Sequence, residues 1–320
     1  MTRRLLLFAC AALIATAVHA QSPARATVKT LKVTILSTML ADEGIGEWGF
    51  SALVEADGHR LLLDTGARPD TVLLNARDLG IDLSDVEEVV LTHNHDDHTG
   101  GLVTLRHEFM KKNPKALSIA HVGKGIFYPR PRPDGSEGNS MIATRKEYEA
   151  AGGRFVEHDG WFEIFPGAWL TGPVPRLYPE KNWSGTGKMK SPDGVIEDTV
   201  PEDTTLVINT AKGLVVVAGC GHAGIVNILT DAATQFPRTP VYGLIGGIHL
   251  FNANDERVDW TADKLKGFSV ANFMGAHCTG INTVYELRQK LGLPRSAAVV
   301  GAVGASFDLE KGIHPGEIAQ

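Results

Sequence analysis

The stretch that most constrains this chain is "VEEVVLTHNHDDHTGG", residues 86–101, an apolar, β-branched run that ends in His93, His95, Asp96, Asp97 and His98. Such a run reads as a buried strand, so three imidazoles and two carboxylates must arrive together at one edge of a sheet. Alternation along an extended chain puts His93 and His95 on the same side. Asp97 and His98 follow where the chain turns and approach from another direction. A solvated helix N-terminus would account for Asp96 and Asp97 through the helix dipole, but it leaves the three histidines unexplained. Imidazole and carboxylate at this density suit Zn²⁺ or a similar borderline cation, and an adjacent pair of such sites suits a bridging hydroxide.

The remainder of the chain repeats the same strand-then-helix texture. "LKVTIL" (31–36), "FSALVE" (50–55) and "RLLLDTG" (60–66) read as strands, and "PDTVLLNARDLGI" and "GGLVTLRHEFMKK" as amphipathic helices. In the second half, "TTLVINTAKGLVVVAGC" (204–220) reads as two strands joined at "TAKG". It is followed by helix "AGIVNILTDAATQF", strand "VYGLIGGIHL", helix "DERVDWTADKLKGF", strand "VANFMGAHC" and helix "INTVYELRQKL". Sheets covered by helices on their outer faces are the economical solution to that order. Residues 123–140 and 173–203, rich in Pro, Gly and charge, read as long loops. In the second of them Arg176, Tyr178, Trp183, Lys188 and Lys190 are candidates to engage an anionic or aromatic ligand.

Residues 1–20 have the form of an export signal. Arg3 and Arg4 precede an apolar run from Leu5 to Val18, and Val18-His19-Ala20 supplies a small-residue cleavage site. The run is about 14 residues, short of the roughly 20 that span a bilayer. We therefore expect a removed leader, of the general or twin-arginine type, and one domain over residues 21–320, periplasmic or secreted, with no integral membrane span. The formal charge of −6, with no basic run, argues against nucleic acid as a partner. After the leader only Cys220 and Cys278 remain, too few for a disulfide scaffold.

"THNHDDHTGG", together with "LLLDTG" about thirty residues upstream, resembles the His-x-His-x-Asp-His signature and the first strand-turn motif of the metallo-β-lactamase superfamily. "NARDLGIDLSDVEEVVLTHNHDDHTGGL", "GLVVVAGCGHAGIVNIL", "GGIHL" and "HCTG" resemble its dihydropterin-ribofuranosylaminobenzene phosphate synthase-like branch. The likeness extends over most of residues 31–300. It implies an α/β fold of αββα type, two mixed β-sheets face to face with helices on the outer faces, and a dinuclear metal site at one edge.

Carried over position by position, the resemblance makes His93, His95, Asp97 and His98 metal ligands, with Asp97 also serving catalysis, and His277 the last metal histidine. Where most relatives place a bridging aspartate this chain has Cys220, and the third histidine expected near "WLTGPVP" is missing, so His222 is expected to complete the first site. For Cys220 a metal ligand, a buried thiol and a disulfide with Cys278 all stay open. His249 resembles a non-ligand histidine that contacts substrate, with a metal contact as the alternative. Asp64 is expected behind the ligands, accepting an imidazole N–H. His59, His107, His121, His158 and His314 are expected in surface or packing roles.

The chemistry this implies is hydrolysis of an ester, lactone or phosphoester of a small molecule by a metal-activated hydroxide. Two Zn²⁺ ions are expected, with Mn²⁺ or Fe²⁺ as alternatives. A synthase-like transfer of the branch's own type and a non-catalytic metal-binding protein are the other readings. His95 in place of the glutamate of the oxygen-reducing di-iron relatives argues against redox chemistry.

Overall fold

The apolar runs pair into two large mixed sheets in the computed structural model, which describes residues 25–182 and 187–319. One sheet has the order Gly312–His314, Ser306–Asp308, Leu31–Ser37, Ser51–Ala56, His59–Leu63, Glu88–Leu91, Ile119–Gly123, Arg154–His158. The other runs Ala298–Val300, Asn272–Gly275, Val241–Gly246, Gly213–Ala218, Leu206–Thr210, Ala168–Leu170, Phe162–Phe165. Because side chains alternate across a strand, each sheet has two apolar faces. Val33, Ile35, Val54, Leu61, Leu63 and Val90 of the first sheet meet Leu206, Ile208, Val215, Val217, Ile245 and Met274 of the second between the layers.

The alternate residues face the helices. Leu53, Leu62, Val89 and Leu91 pack on Val72, Leu105 and Tyr148 from helices Thr71–Asp78, Leu102–Phe109 and Met141–Ala150. Val207, Val216, Leu244 and Phe273 pack on Ile228, Leu265 and Leu287 from helices Ile225–Gln235, Asp255–Gly267 and Ile281–Leu291. Each fully buried side chain of this size contributes about 1.5–3 kcal/mol. The result is the expected αββα sandwich.

Both sheets change from antiparallel to parallel pairing partway across. His59–Leu63, Glu88–Leu91 and Ile119–Gly123 run parallel in the first, and Gly213–Ala218, Val241–Gly246 and Asn272–Gly275 in the second. The carboxyl ends of parallel strands form a crevice, the usual ligand position in α/β sheets. Asp64, His93, Cys220, His249 and His277 each lie within three residues of the carboxyl end of one of these strands.

The "TAKG" turn forms as expected, with Thr210 paired to Gly213. Residues 173–203 depart from the loop expectation. Lys188–Ser191 and Gly194–Glu197 form an antiparallel hairpin closed by Ser191 and Gly194, and the positive φ of 119° at Gly194 explains why Pro-Asp-Gly turns there rather than loops. Helix Met141–Ala150 and strands Arg154–His158, Phe162–Phe165 and Ala168–Leu170 also form, from a segment whose pattern gave no expectation. Among the described residues no helix is long and apolar enough to cross a membrane. The leader read over residues 1–20 lies outside the described residues.

Candidate metal centre

Seven of the side chains singled out by the sequence converge in the crevice. His93, His95 and His222 form one potential ligand triad, and Asp97, His98 and His277 another. Cys220 stands between them, grouped with His93 and His98. The His93 Nε2 and His95 Nδ1 atoms lie 3.0 Å apart, and the His93 and His222 ring centres 4.6 Å apart. His98 Nε2 is 3.1 Å from Cys220 Sγ, and His277 Nε2 is 3.2 Å from Asp97 Oδ2. A neutral imidazole whose outer nitrogen donates its proton to the protein turns a lone pair, not a proton, inward.

The outer nitrogens show how this is enforced. His98 Nδ1–H donates to Asp64 Oδ2 at 2.6 Å. Thr92 donates its hydroxyl to the same carboxylate oxygen at 2.8 Å and its backbone N–H to Asp64 Oδ1 at 2.7 Å, while His93 Nδ1–H donates to the Thr92 hydroxyl at 3.0 Å. One buried carboxylate thus sets the tautomer of one histidine directly and of another through a hydroxyl. His222 Nδ1–H donates to the Asn182 carbonyl, which leaves Nε2 buried with no hydrogen-bond partner. An orphaned imidazole nitrogen in the middle of such a cluster is costly in a folded protein and fits a ligand awaiting a cation.

Electrostatics point the same way. Burial, with help from the surrounding imidazoles, holds His93 and His222 well below the ordinary histidine range, and burial brings His95 down to about 4. These three rings are neutral, the form that binds metal. Burial works against ionisation of Asp97, but His277, His98 and His95 more than offset it and hold its carboxyl below the usual range. Burial opposes protonation of His98 as well, and Asp64 overcomes it, pushing the ring up to about 9. That proton occupies the place of a cation, which would displace it.

Cys220 and Cys278 are both buried and free, with their sulfurs 3.2 Å apart. Burial pushes the Cys220 thiol up, so ionisation there requires a bound cation. His249 is half-buried, its ring 4.6 Å from that of His222, and its Nδ1 has no hydrogen-bond partner. Asp64, His249 and His277 all have positive φ (56°, 50° and 47°). For residues other than glycine this is strained backbone of the kind that persists where the fold enforces a site.

The candidate ligand-binding loop residues are placed otherwise. Arg176 donates to the backbone carbonyls of His222, Thr199 and Val200, so it braces the ligand loop instead of facing a ligand. Tyr178 packs edge-on against Trp260. Lys188 and Lys190 lie exposed on the 188–197 hairpin, and Trp183 falls outside the described residues.

The crevice also holds groups that no sequence signal identified. Trp48, 47% exposed, packs 4.8 Å from the His277 ring and 5.2 Å from Phe251, which is 46% exposed and 5.4 Å from His249. Asp203, buried and pushed up to about 6 by burial, accepts the Ala223 N–H. Thr92 differs from these in having a legible cue, a hydroxyl adjoining the first ligand in "LTH".

Known proteins place this geometry. The family model described as "Metallo-beta-lactamase superfamily" matches residues 49–233. A relative from Methanocaldococcus jannaschii named 7,8-dihydropterin-6-methyl-4-(beta-D-ribofuranosyl)-aminobenzene-5'-phosphate synthase is 31% identical over 265 residues, 79% of this chain and 89% of its own length. A solved metal-dependent hydrolase of the beta-lactamase superfamily superposes with a TM-score of 0.69 at 26% identity, covering 87% of this chain and 98% of that one. Zn²⁺-bound PqqB from Methylobacterium extorquens shares the fold at a TM-score of 0.53 and 15% identity, over 87% of this chain and 100% of its own. Since the family model matches more than half of the chain, the "THNHDDH" cluster included, and the archaeal relative is 31% identical over 79% of it, the chain belongs to the metallo-β-lactamase superfamily.

Proposed function

We propose that this chain is an exported, dinuclear metal-dependent hydrolase acting on an ester, lactone or phosphoester of a small molecule. The observation that carries the reading is the pair of triads, His93/His95/His222 and Asp97/His98/His277, meeting at Cys220. Zinc fits their nitrogen-rich donor set, with Mn²⁺ or Fe²⁺ as alternatives. Ions bound there would supply an acidified water as nucleophile and a Lewis acid for the developing negative charge.

The chain's own residues supply the rest. Asp97 brings a carboxylate between His98 and His277, where it both binds and orients. His249, beside His222 with a free Nδ1, is placed to hold or move a proton at the substrate side. Trp48 and Phe251 shield the mouth with apolar surface and limit water access. The sequence of residues 1–20 supports export.

A second reading is a synthase-type transfer, favoured by the 31% identity to the archaeal synthase. The deciding experiment is metal analysis of the purified protein followed by a screen against nitrophenyl esters, nitrophenyl phosphodiesters and lactones. We expect about two transition-metal ions per chain and a hydrolysis abolished by chelation and restored by metal. A metal-loaded protein inert toward all three classes defeats the hydrolase reading.

A further inference from the structure

A cleft of about 330 Å³ opens beside His249, lined by Lys181, Asn182, Asn252, Asn254 and Arg257 among others. We propose that it is an anion subsite, selecting substrates that carry a carboxylate or phosphate a short distance from the scissile group. This rests on the hydrolase reading above and adds the charge and position of the group recognised.

The lining contains two cationic side chains and no carboxylate. Arg257 is fixed in place: its guanidinium donates to the Pro179 carbonyl at 3.3 Å and to Asn182 Oδ1 at 3.2 Å, and its Nε is buried without a partner. Glu180 lies behind it, 3.7 Å from Nη2, but is fully buried, and its Oε2 accepts the Asn227 N–H. It anchors the arginine without occupying the cleft. Asp255 and Glu256 are exposed on the first turn of the adjoining helix and do not line the cleft. Lys181 is exposed and, among the described residues, makes no ion pair or hydrogen bond.

Two further facts tie the cleft to the chemistry. His249 belongs both to its lining and to the group facing the metal triads, 4.6 Å from His222. Asn182, next to Lys181, is the residue whose carbonyl holds the His222 tautomer. An occupant bound by Lys181 therefore sits one residue from the support of a metal ligand. In a chain of formal charge −6, a cleft that carries an unpaired lysine beside an arginine, and no carboxylate in its lining, is also a local reversal of sign that draws in anions.

The test uses matched pairs that differ only in a remote charge. For turnover the pair is 4-nitrophenyl butyrate and 4-nitrophenyl hydrogen succinate. For binding it is the non-hydrolysed butyranilide, succinanilic acid and the phosphonate counterpart of the latter, all with metal-loaded full-length protein. We expect kcat/KM and affinity to favour the charged member by about tenfold or more, to weaken with ionic strength, and to lose most of that preference in Lys181→Glu and in Asn252→Asp. A preference for the carboxylate over the phosphonate, or the reverse, identifies which anion the subsite takes.

Charge preference that survives both substitutions places the anion on the metals alone and overturns the proposal, as does no preference in the wild type. If neither ester is turned over while succinanilic acid still binds in a Lys181-dependent way, the subsite stands and the hydrolase reading falls. If both esters turn over equally, the reverse holds.

Discussion

The Asp64 carboxylate accepts the His98 Nδ1–H at 2.6 Å with both side chains fully buried. Asp64 also receives both hydrogen bonds from Thr92, and through that hydroxyl it fixes His93. Asp64→Asn keeps the shape, and asparagine tolerates the positive φ of 56° at this position. It removes the charge that makes both imidazoles better donors. We expect metal affinity to fall by about 10–100-fold with the fold intact. Competition with a chromophoric chelator measures this, and an affinity within twofold of wild type would show that Asp64 serves packing alone.

His222→Ala removes a nitrogen that has no other partner, and the metal loss should exceed that of Asp64→Asn, with one of the two ions released. Cys220→Ser then tests the sulfur. A thiolate ligand predicts a sulfur-to-metal charge-transfer band in the cobalt-substituted wild type that disappears in the variant, together with metal loss. If His222→Ala retains both ions at full affinity, His249, half-buried with its ring 4.6 Å from that of His222, becomes the candidate for the position.

How far the sequence was legible follows the physics of each element. The strands and helices that build the sandwich have strong hydrophobic periods, and "THNHDDH" concentrates its chemistry in consecutive residues, so both could be read directly. Residues 141–170 have short, half-exposed strands such as Arg154–His158 and Phe162–Phe165, whose alternation is too weak to stand out. The roles of Asn182, Arg176 and Trp48 depend on contacts across 40 residues or more. No local pattern encodes such contacts. Arg176 illustrates the difficulty, since a cation in a polar loop reads as a ligand contact until the backbone carbonyls it braces are located.

A second histidine pair, remote in sequence from the metal motif, gives a pH prediction. His158, 8% exposed, lies 2.9 Å from His121 between ring nitrogens and stacks on Phe162 at 4.2 Å, while Glu88 faces the other side of His121 at 3.5 Å. Burial, then the His121 ring, lowers His158 to about 4, with Asp159 acting weakly in the opposite sense. The folded state therefore holds fewer protons here than the unfolded chain. The stability contribution is present above pH 6.5 and is lost as the pH falls toward 4. Urea midpoints should drop more steeply across that window in the wild type than in His158→Phe. Parallel curves would exclude this pair as the titrating element.

The last prediction concerns the two glycines that close the metal motif. Gly100 has ordinary helical backbone, φ −62° and ψ −32°, so it is not required for a left-handed turn. Its role is close approach: a Cβ there would lie 2.0 Å from the Ala67 carbonyl oxygen, and one on Gly101 would lie 2.4 Å from that of Thr65. The helix is drawn this close by backbone bonds from Gly100 N–H to Gly66 and from Thr65 N–H to the His98 carbonyl, 2.9 and 2.7 Å. Those bonds lock the "HTGG" segment onto "DTG", the loop that carries Asp64. Gly100→Ala must push the segments apart, at a cost of about 1–3 kcal/mol as for other overpacked sites. Because the same displacement moves His98 away from Asp64, metal affinity should fall along with thermal stability. Gly267→Ala, where a Cβ meets nothing within 4 Å, is the control: metal affinity should not change, and stability should hold or rise slightly because alanine is the better helix former. Stability lost without any change in metal affinity would show that the two motifs are joined for folding only, and that His98 keeps its place without the contact.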